Sequence, residues 1–263
     1  MKLPLYQIDA FTNTVFGGNP ACVMPLEKWL PNDILLKIAK ENAVAETAFF
    51  VWENDVVHLR WFTPEIEMDL CGHATLATAH CLKTILDYQP NTITFHTLSG
   101  QLLVTCTAGM YSLNFPARMP LEEPLPTVWE NAFSISPNAV LKARDYVLVY
   151  DKEQAVRDIE INLYQFNKLH LPTGGVIITA PGIKCDFVSR FFTPNASIIE
   201  DPVTGSAHCS LIPYWAERLG KNTMIAQQLS SRLGTLYCEH KGNRVIMSGY
   251  AITYSEGFCY VHL

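Results

Sequence analysis

The chain states one local plan twice. Arg60-Trp61-Phe62-Thr63-Pro64 returns as Arg190-Phe191-Phe192-Thr193-Pro194, 190 − 60 = 130 residues later. Soon after each copy a glycine opens an apolar, helix-like run: Cys71-Gly72-His73-Ala74 in the first, Thr204-Gly205-Ser206-Ala207 in the second. Gly100-Gln101-Leu102-Leu103 is answered by Gly234-Thr235-Leu236-Tyr237, each starting a strand-like hairpin. Three matches in the same order restrict the chain to two structurally equivalent halves. They are drawn at 1–115 and 116–263, with the final strand allowed to pair back onto the first half. A duplicated chain tends to set its equivalent loops across a cleft, so chemistry is expected first at the two glycine turns.

Composition narrows what those halves can do. Hydrophobic residues make up 49% of the 263 and charged residues only 17%, which describes a folded chain with ample core. A net charge of −6 argues against nucleic acid or an anionic membrane as a partner. No apolar run reaches the roughly 18 residues of a membrane span. Residues 3–10 go directly into an alternating strand without the character of a signal peptide. A cytoplasmic location is the expectation. The eight cysteines form no Cys-x-x-Cys pair and read as small core residues. Cys71, His73 and His80, like His208-Cys209, do not match a zinc spacing, so no metal is expected.

The periodicity predicts strands at 3–10, 20–25, 46–52 and 56–62, the last pair turning at Glu53-Asn54-Asp55. A helix over 32–41 takes Asn32 as its cap, and a second over 73–87 is apolar on most sides and should be buried. Strands at 92–96, 100–107 and 110–115 close the half, and Pro116 to Pro126 reads as a linker. The second half is expected to carry strands at 146–150, 175–180 and 185–192, and a helix near 152–160. Helix 205–219 follows, kinked by Pro213, then a hairpin over 234–250 and a terminal strand at 258–262. The final hairpins fit an α+β class better than a doubly wound parallel sheet. Gly17-Gly18-Asn19-Pro20 lacks the spacing of a nucleotide loop.

Both glycine turns have the makings of a carboxylate site. A helix start presents unpaired N–H groups and a partial positive charge, and glycine lets a ligand approach the backbone. Either turn alone would serve as a mere tight turn; recurrence beside reactive side chains favours function. Glu46 is a lone carboxylate in Asn42-Ala43-Val44-Ala45-Glu46-Thr47-Ala48-Phe49-Phe50. The stretch leaves two places open for it, a proton-transferring base removed from water or an exposed strand edge. Loops 13–19 and 170–175, with Thr14, Phe16, Leu171, Pro172 and Thr173, are expected to line the pocket.

Taken together, Gly18-Asn19-Pro20, Glu46-Thr47-Ala48-Phe49, Arg60-x-Phe62-Thr63-Pro64, Cys71-Gly72-His73-Ala74-Thr75 and Glu200-Asp201-Pro202-x-Thr204-Gly205-Ser206-Ala207-His208 resemble the PhzF family, a phenazine-biosynthesis-like branch of the diaminopimelate-epimerase fold. The resemblance runs the length of the chain in order. It implies two pseudo-symmetric halves, each a rolled, mostly antiparallel sheet around a central helix, with the site in the cleft between them. It implies Glu46 as general acid and base, with His73 and Asp201 flanking the substrate. Gly72, Gly205 and Ser206 would receive its carboxylate or polar end, with Asn19, Cys71 and Thr204 beside them. Members act without a cofactor and commonly form homodimers. The implied reaction is a proton shift on a small unsaturated or cyclic amino or hydroxy carboxylic acid.

Two other readings remain in view. Racemases of the same fold use two thiols on opposite faces of a carbon. Here Cys71 holds the first place, but Thr204 holds the second, and a hydroxyl is a poor base near neutral pH. That pairing would suit a dehydratase of a hydroxyproline-like acid instead. The remaining alternative is a non-catalytic protein that binds a small acid and has lost turnover.

Overall fold

In the computed structural model, which describes residues 1–53, 56–129, 131–168, 171 and 174–261, the two copies of the repeat sit in the same position of two matching ladders. The first stretch runs β1 (Lys2–Ala10), β2 (Asn19–Leu26), α1 (Asn32–Asn42), β3 (Glu46–Glu53), β4 (Val56–Phe62), β5 (Glu67–Met68), α2 (Gly72–Thr84), β6 (Thr92–Thr97), β7 (Gly100–Thr107) and β8 (Met110–Pro116). Next come β9 (Leu121–Glu122), β10 (Ala139–Lys142), β11 (Tyr146–Val149), α3 (Glu153–Asp158), α4 (Leu163–Phe166), β12 (Val176–Pro181), β13 (Phe187–Phe192), β14 (Glu200–Asp201), α5 (Gly205–Leu219), β15 (Thr223–Gln228), β16 (Gly234–Lys241) and β17 (Arg244–Gly249). The last strand is β18 (Ala251–Tyr260).

Pairing repeats step for step. In the first set β1–β2 is antiparallel, β2–β3 parallel, β3–β4 antiparallel, β4–β6 parallel and β6–β7 antiparallel. In the second, β10–β11, β11–β12, β12–β13, β13–β15 and β15–β16 follow the same alternation. Each set carries a two-residue side strand: Trp61 and Phe62 pair with Met68 and Glu67, Phe191 and Phe192 with Asp201 and Glu200. The repeated arginine explains why the motif recurs. Arg60 Nε and Nη2 donate to separate oxygens of Glu67 at 2.7 and 2.7 Å; Arg190 does the same to Glu200 at 2.7 and 3.0 Å. A bidentate fork of this kind fixes the side strand that leads into each central helix. Thr63 N–H to Ile66 O and Thr193 N–H to Ile199 O close the following turn in both copies.

The chain divides into two compact units, Met1–Asn114 with Ser248–Leu263, and Phe115–Met247. The second unit therefore ends at Met247 and not at the end of the chain. β18 pairs along the whole of β1, Lys2 with Tyr260 through Ala10 with Ala251, and this ladder draws it into the first unit. In that unit α2 packs on β1, β2, β3 and β18. Its residues His73 to Leu82 are all buried, as a helix without a polar face must be. A further cluster of Met24, Leu35, Ile38, Phe49 and Phe62 fills the space under α1. In the second unit α5 packs on β15 and β16. Trp215 there stacks on Phe187 with centroids 5.8 Å apart and donates to Thr179 Oγ1 at 2.9 Å.

Several expected boundaries move. Pro31, not Asn32, caps α1, and the Asn32 side chain accepts instead from Arg60 Nη2 at 2.9 Å. The α2 helix stops at Thr84, because Asp87 turns into the left-handed region at φ 52. The α5 helix, by contrast, keeps its expected bounds, Gly205–Leu219, with Pro213 inside it. The 116–126 segment is not a bare linker, since Leu121 and Glu122 pair with Lys142 and Leu141. The expected turn residues Asn54 and Asp55 lie outside the described residues, as do Pro172, Thr173 and His170 of the expected pocket wall.

Candidate active site

Glu46, Cys71, His73 and Asn19 come together in the first unit, although 54 residues separate Asn19 from His73 in sequence. Glu46 opens β3, and Cys71 is the N-cap of α2 with Gly72 and His73 as its first residues. His73 Nε2 lies 3.1 Å from Glu46 Oε2, with side-chain exposures of 4% and 15%. The two atoms form an ion pair when His73 is protonated, and neither has a further hydrogen-bond partner. Buried polar atoms normally find more than one partner, so a pair that has only each other at a helix start leaves room for a ligand. Nδ1 on the other edge of the ring lies 3.2 Å from Asn19 Nδ2 and 3.5 Å from Cys71 Sγ. The ring thus turns Nδ1 to Asn19 and Cys71 and Nε2 to Glu46.

Asn19 reaches this position because of Gly18. Its φ is +58, and a Cβ there would stand 2.0 Å from Ala10 O. Only glycine lets the β1–β2 turn close so tightly. Burial pushes the Cys71 thiol up, and the Glu46 charge adds to the rise. His73 is pulled down by burial, but the acidic groups Cys71 and Glu46 outweigh this and hold it well above its usual 6.5. Since Cys71 stays a neutral thiol near pH 7, the standing partner of His73 is Glu46.

The second unit builds a different arrangement at the same point of the repeat. Thr204, Gly205 and Ser206 occupy the N-cap and first turn of α5. Thr204 Oγ1 donates to Asp201 Oδ2 at 2.5 Å and accepts from Gln228 Nε2 at 3.1 Å. Gln228 is fully buried, accepts from Thr204 N–H at 2.8 Å and donates to Asp201 O at 2.7 Å. It clamps the loop that presents Asp201, and it was invisible in the sequence as a polar residue at a strand end. Ser206 Oγ accepts from Arg144 Nη2 at 3.0 Å, a second partner that the motif reading missed. His208 lies one turn further on, its Nδ1 donating to Thr204 O at 2.8 Å, and burial pushes it down to about 4. Neither central helix is capped by its own N-cap side chain.

Metal ligation was expected to be absent from the spacing of Cys71, His73 and His80. The fold sends His80 elsewhere, to Tyr111 and Thr253, and brings Glu46 to Cys71 and His73 so that three ligand atoms lie within 4.8 Å of one another. The ring turns opposite nitrogens toward Cys71 and Glu46 at these distances, so one ion would have to displace one of the two.

An α+β chain whose two ladders repeat, each around a buried helix and one with a buried carboxylate–imidazole pair, has the makings of an epimerase-like enzyme. Residues 8–257 match the family model for phenazine biosynthesis-like proteins. Two isomerases of Pseudomonas aeruginosa are each 45% identical over 257 and 258 residues, covering 98% of this chain and of themselves. A mouse phenazine biosynthesis-like domain-containing protein is 36% identical, covering 98% of this chain and 99% of itself. The crystal structure of a PhzF-family protein from Enterococcus faecalis superposes with a TM-score of 0.94 at 46% identity, covering 99% of this chain and all of that one. A hydroxyproline epimerase from Agrobacterium vitis shares the fold alone, with a TM-score of 0.61 at 8% identity over 98% of this chain and 91% of that one. The chain belongs to the PhzF family and is an isomerase with a diaminopimelate-epimerase-like fold. No described helix is long and apolar enough to cross a membrane.

Proposed function

We propose that the chain moves a proton on a small unsaturated or cyclic amino or hydroxy carboxylic acid, with Glu46 as the one base. Glu46 takes the proton from a substrate carbon, the electron pair shifts through the conjugated system, and Glu46 returns the proton to another carbon on the same face. No cofactor enters this balance. The observation that carries the reading is the buried Glu46–His73 contact, in which both facing atoms lack a further hydrogen-bond partner. A positioned carboxylate removed from water is suited to accept and return a proton. His73 steadies its charge, and Asn19 orients His73.

Asp201 belongs to the reading as a polar flank of the same substrate, and Gly72, Gly205 and Ser206 as receivers of its polar end. The repeat supports this, because it gives both helix starts the same form. The protein is proposed to act as a homodimer; light scattering coupled to size exclusion tests that. The dehydratase reading needs Cys71 and Thr204 as a working pair. Against it, burial keeps Cys71 protonated, and the Thr204 hydroxyl already bonds Asp201 and Gln228. A non-catalytic binding protein would show no turnover with any acid. Incubating a library of small acids with the protein in deuterated water, with mass-spectrometric detection, tests all three. Deuterium uptake that disappears in Glu46→Gln supports the proposal, and its absence with every acid supports the binding protein.

A further inference from the structure

The arginine beside Ser206 is held differently from the two arginines that brace the fold. Arg60 and Arg190 each give two nitrogens to two oxygens of one glutamate. Arg144, in the turn between β10 and β11, gives Nε and Nη2 to a single oxygen, Asp145 Oδ1, at 3.3 and 3.2 Å. That same Oδ1 also accepts from Gly175 N–H at 2.8 Å. Oδ2 of Asp145 is buried without a hydrogen-bond partner, in a residue only 1% exposed. A buried orphan oxygen is a local cost. Rotation of the Arg144 fork onto both oxygens would remove it, yet Nη2 is turned to Ser206 Oγ at 3.0 Å. Nη1 makes no hydrogen bond among the described residues, and the side chain is 29% exposed. The group is anchored on one side and open on the other.

Arg118, Arg144 and Arg244 all act on α5 in a chain whose net charge is −6. Cys209, three residues after Ser206 in α5, is pushed up to about 11 by burial, and Arg118, Arg144 and Arg244 oppose that rise while Asp145 alone adds to it.

We propose that Arg144 is a substrate-specificity residue, whose open guanidinium edge, together with the Ser206 hydroxyl, seats a carboxylate of the substrate and rejects the corresponding uncharged amide. Asp145 is its positioning residue. The inference rests on the reading of Ser206 as a substrate-binding position, and it adds the charge that reading lacks. The open Nη1 and the Ser206 hydroxyl proton can each donate to one carboxylate oxygen, the first as a charged donor, which the hydroxyl alone cannot supply.

The test is calorimetric titration of the wild-type protein, Arg144→Gln, Arg144→Lys and Asp145→Asn with pyrrole-2-carboxylate, trans-4-hydroxy-L-proline and benzoate, each beside its primary amide. Urea unfolding of every variant shows that it is folded. At least one acid should bind the wild type about tenfold or more tightly than its amide, the usual worth of a charged hydrogen-bonding partner. Arg144→Gln should erase that preference while leaving amide affinity in place; Arg144→Lys should keep part of it, and Asp145→Asn should weaken it. A folded Arg144→Gln that still prefers acids at the wild-type ratio overturns the proposal, as does a wild type that prefers none of the three acids. Deuterium exchange in Glu46→Gln separates this from the catalytic reading. Exchange surviving there, with acid preference lost in Arg144→Gln, removes the one-base mechanism and keeps the seat. Loss of exchange with preference intact in Arg144→Gln does the reverse.

Discussion

The two helix starts occupy the same place in the repeat and carry different side chains. At α2 a thiol, an imidazole and a carboxylate crowd together, and His73 is held on the charged side by its acidic neighbours. At α5 Ser206 stands where His73 does, burial drives His208 down to about 4, and the nearby charged groups are Asp201 and Arg144. The frame around them is the same, down to the bidentate Arg60–Glu67 and Arg190–Glu200 forks. The bracing is thus shared while the side chains at the two starts differ; in the proposed function one start moves a proton and the other holds a charge.

The sharpest way to break that division is catalytic. Glu46→Gln should lower kcat by at least about a hundredfold, the range of positioned acid–base groups. Ser206→Ala should act mainly on KM. Steady-state kinetics on any acid that exchanges deuterium checks this, and an equal fall of kcat in both variants would end the division of labour.

Next in size is a test on stability that separates two matched glycines. A Cβ at Gly234 would meet Val203 Cγ2 at 2.1 Å, whereas Gly100 has nothing within 4 Å and owes its glycine to a φ of +92. Gly234→Ala should cost about 3 kcal/mol by overpacking, and Gly100→Ala about 1 kcal/mol by backbone strain. Urea unfolding midpoints measure both; a reversed order would show that the match hides the same physical demand.

The forks should behave alike. Arg60→Met and Arg190→Met each leave a half-buried glutamate without its partner and should cost about 2 kcal/mol in the same assay. A large cost in only one would show that one brace is redundant.

Titration spreads its effect over several pH units. His208 and His80 have folded values near 4 against the usual 6.5, so the unfolded chain takes up their protons first as pH falls. Their contribution is complete above about 6.5 and is lost between there and about 4, at up to about 1.4 kcal/mol per pH unit for each. His73 runs the other way: its contribution is complete below 6.5 and is lost as pH rises through its raised folded value. Urea titrations across pH should show His80→Gln flattening the acid slope; an unchanged slope would remove His80 from the account.

Much of this plan was legible in the residues themselves. The duplicated Arg-x-Phe-Thr-Pro segments, the two glycine-led helices and the apolar α2 run are local patterns, and local patterns follow from backbone geometry and side-chain periodicity. Glu46, His73 and Asp201 stood out because their motifs are contiguous. Asn32 misled because a capping residue type was read without its competitor, the Arg60 guanidinium. Gln228 and Arg144 gave no signal, because their partners are 24 and 62 residues away and their own neighbours are unremarkable in composition.

By itself, then, the order of residues determined a two-part α+β chain with glycine-led central helices and a short roster of reactive groups, since propensity, period and repetition are written along the chain. Only the tertiary structure decided which groups meet: that His73 lies between Asn19 and Glu46, that the Thr204 hydroxyl is already engaged by Asp201 and Gln228, and that β18 returns to β1. Those outcomes depend on distances across sheet ladders and on which atoms lose water, and neither quantity exists until the strands have paired.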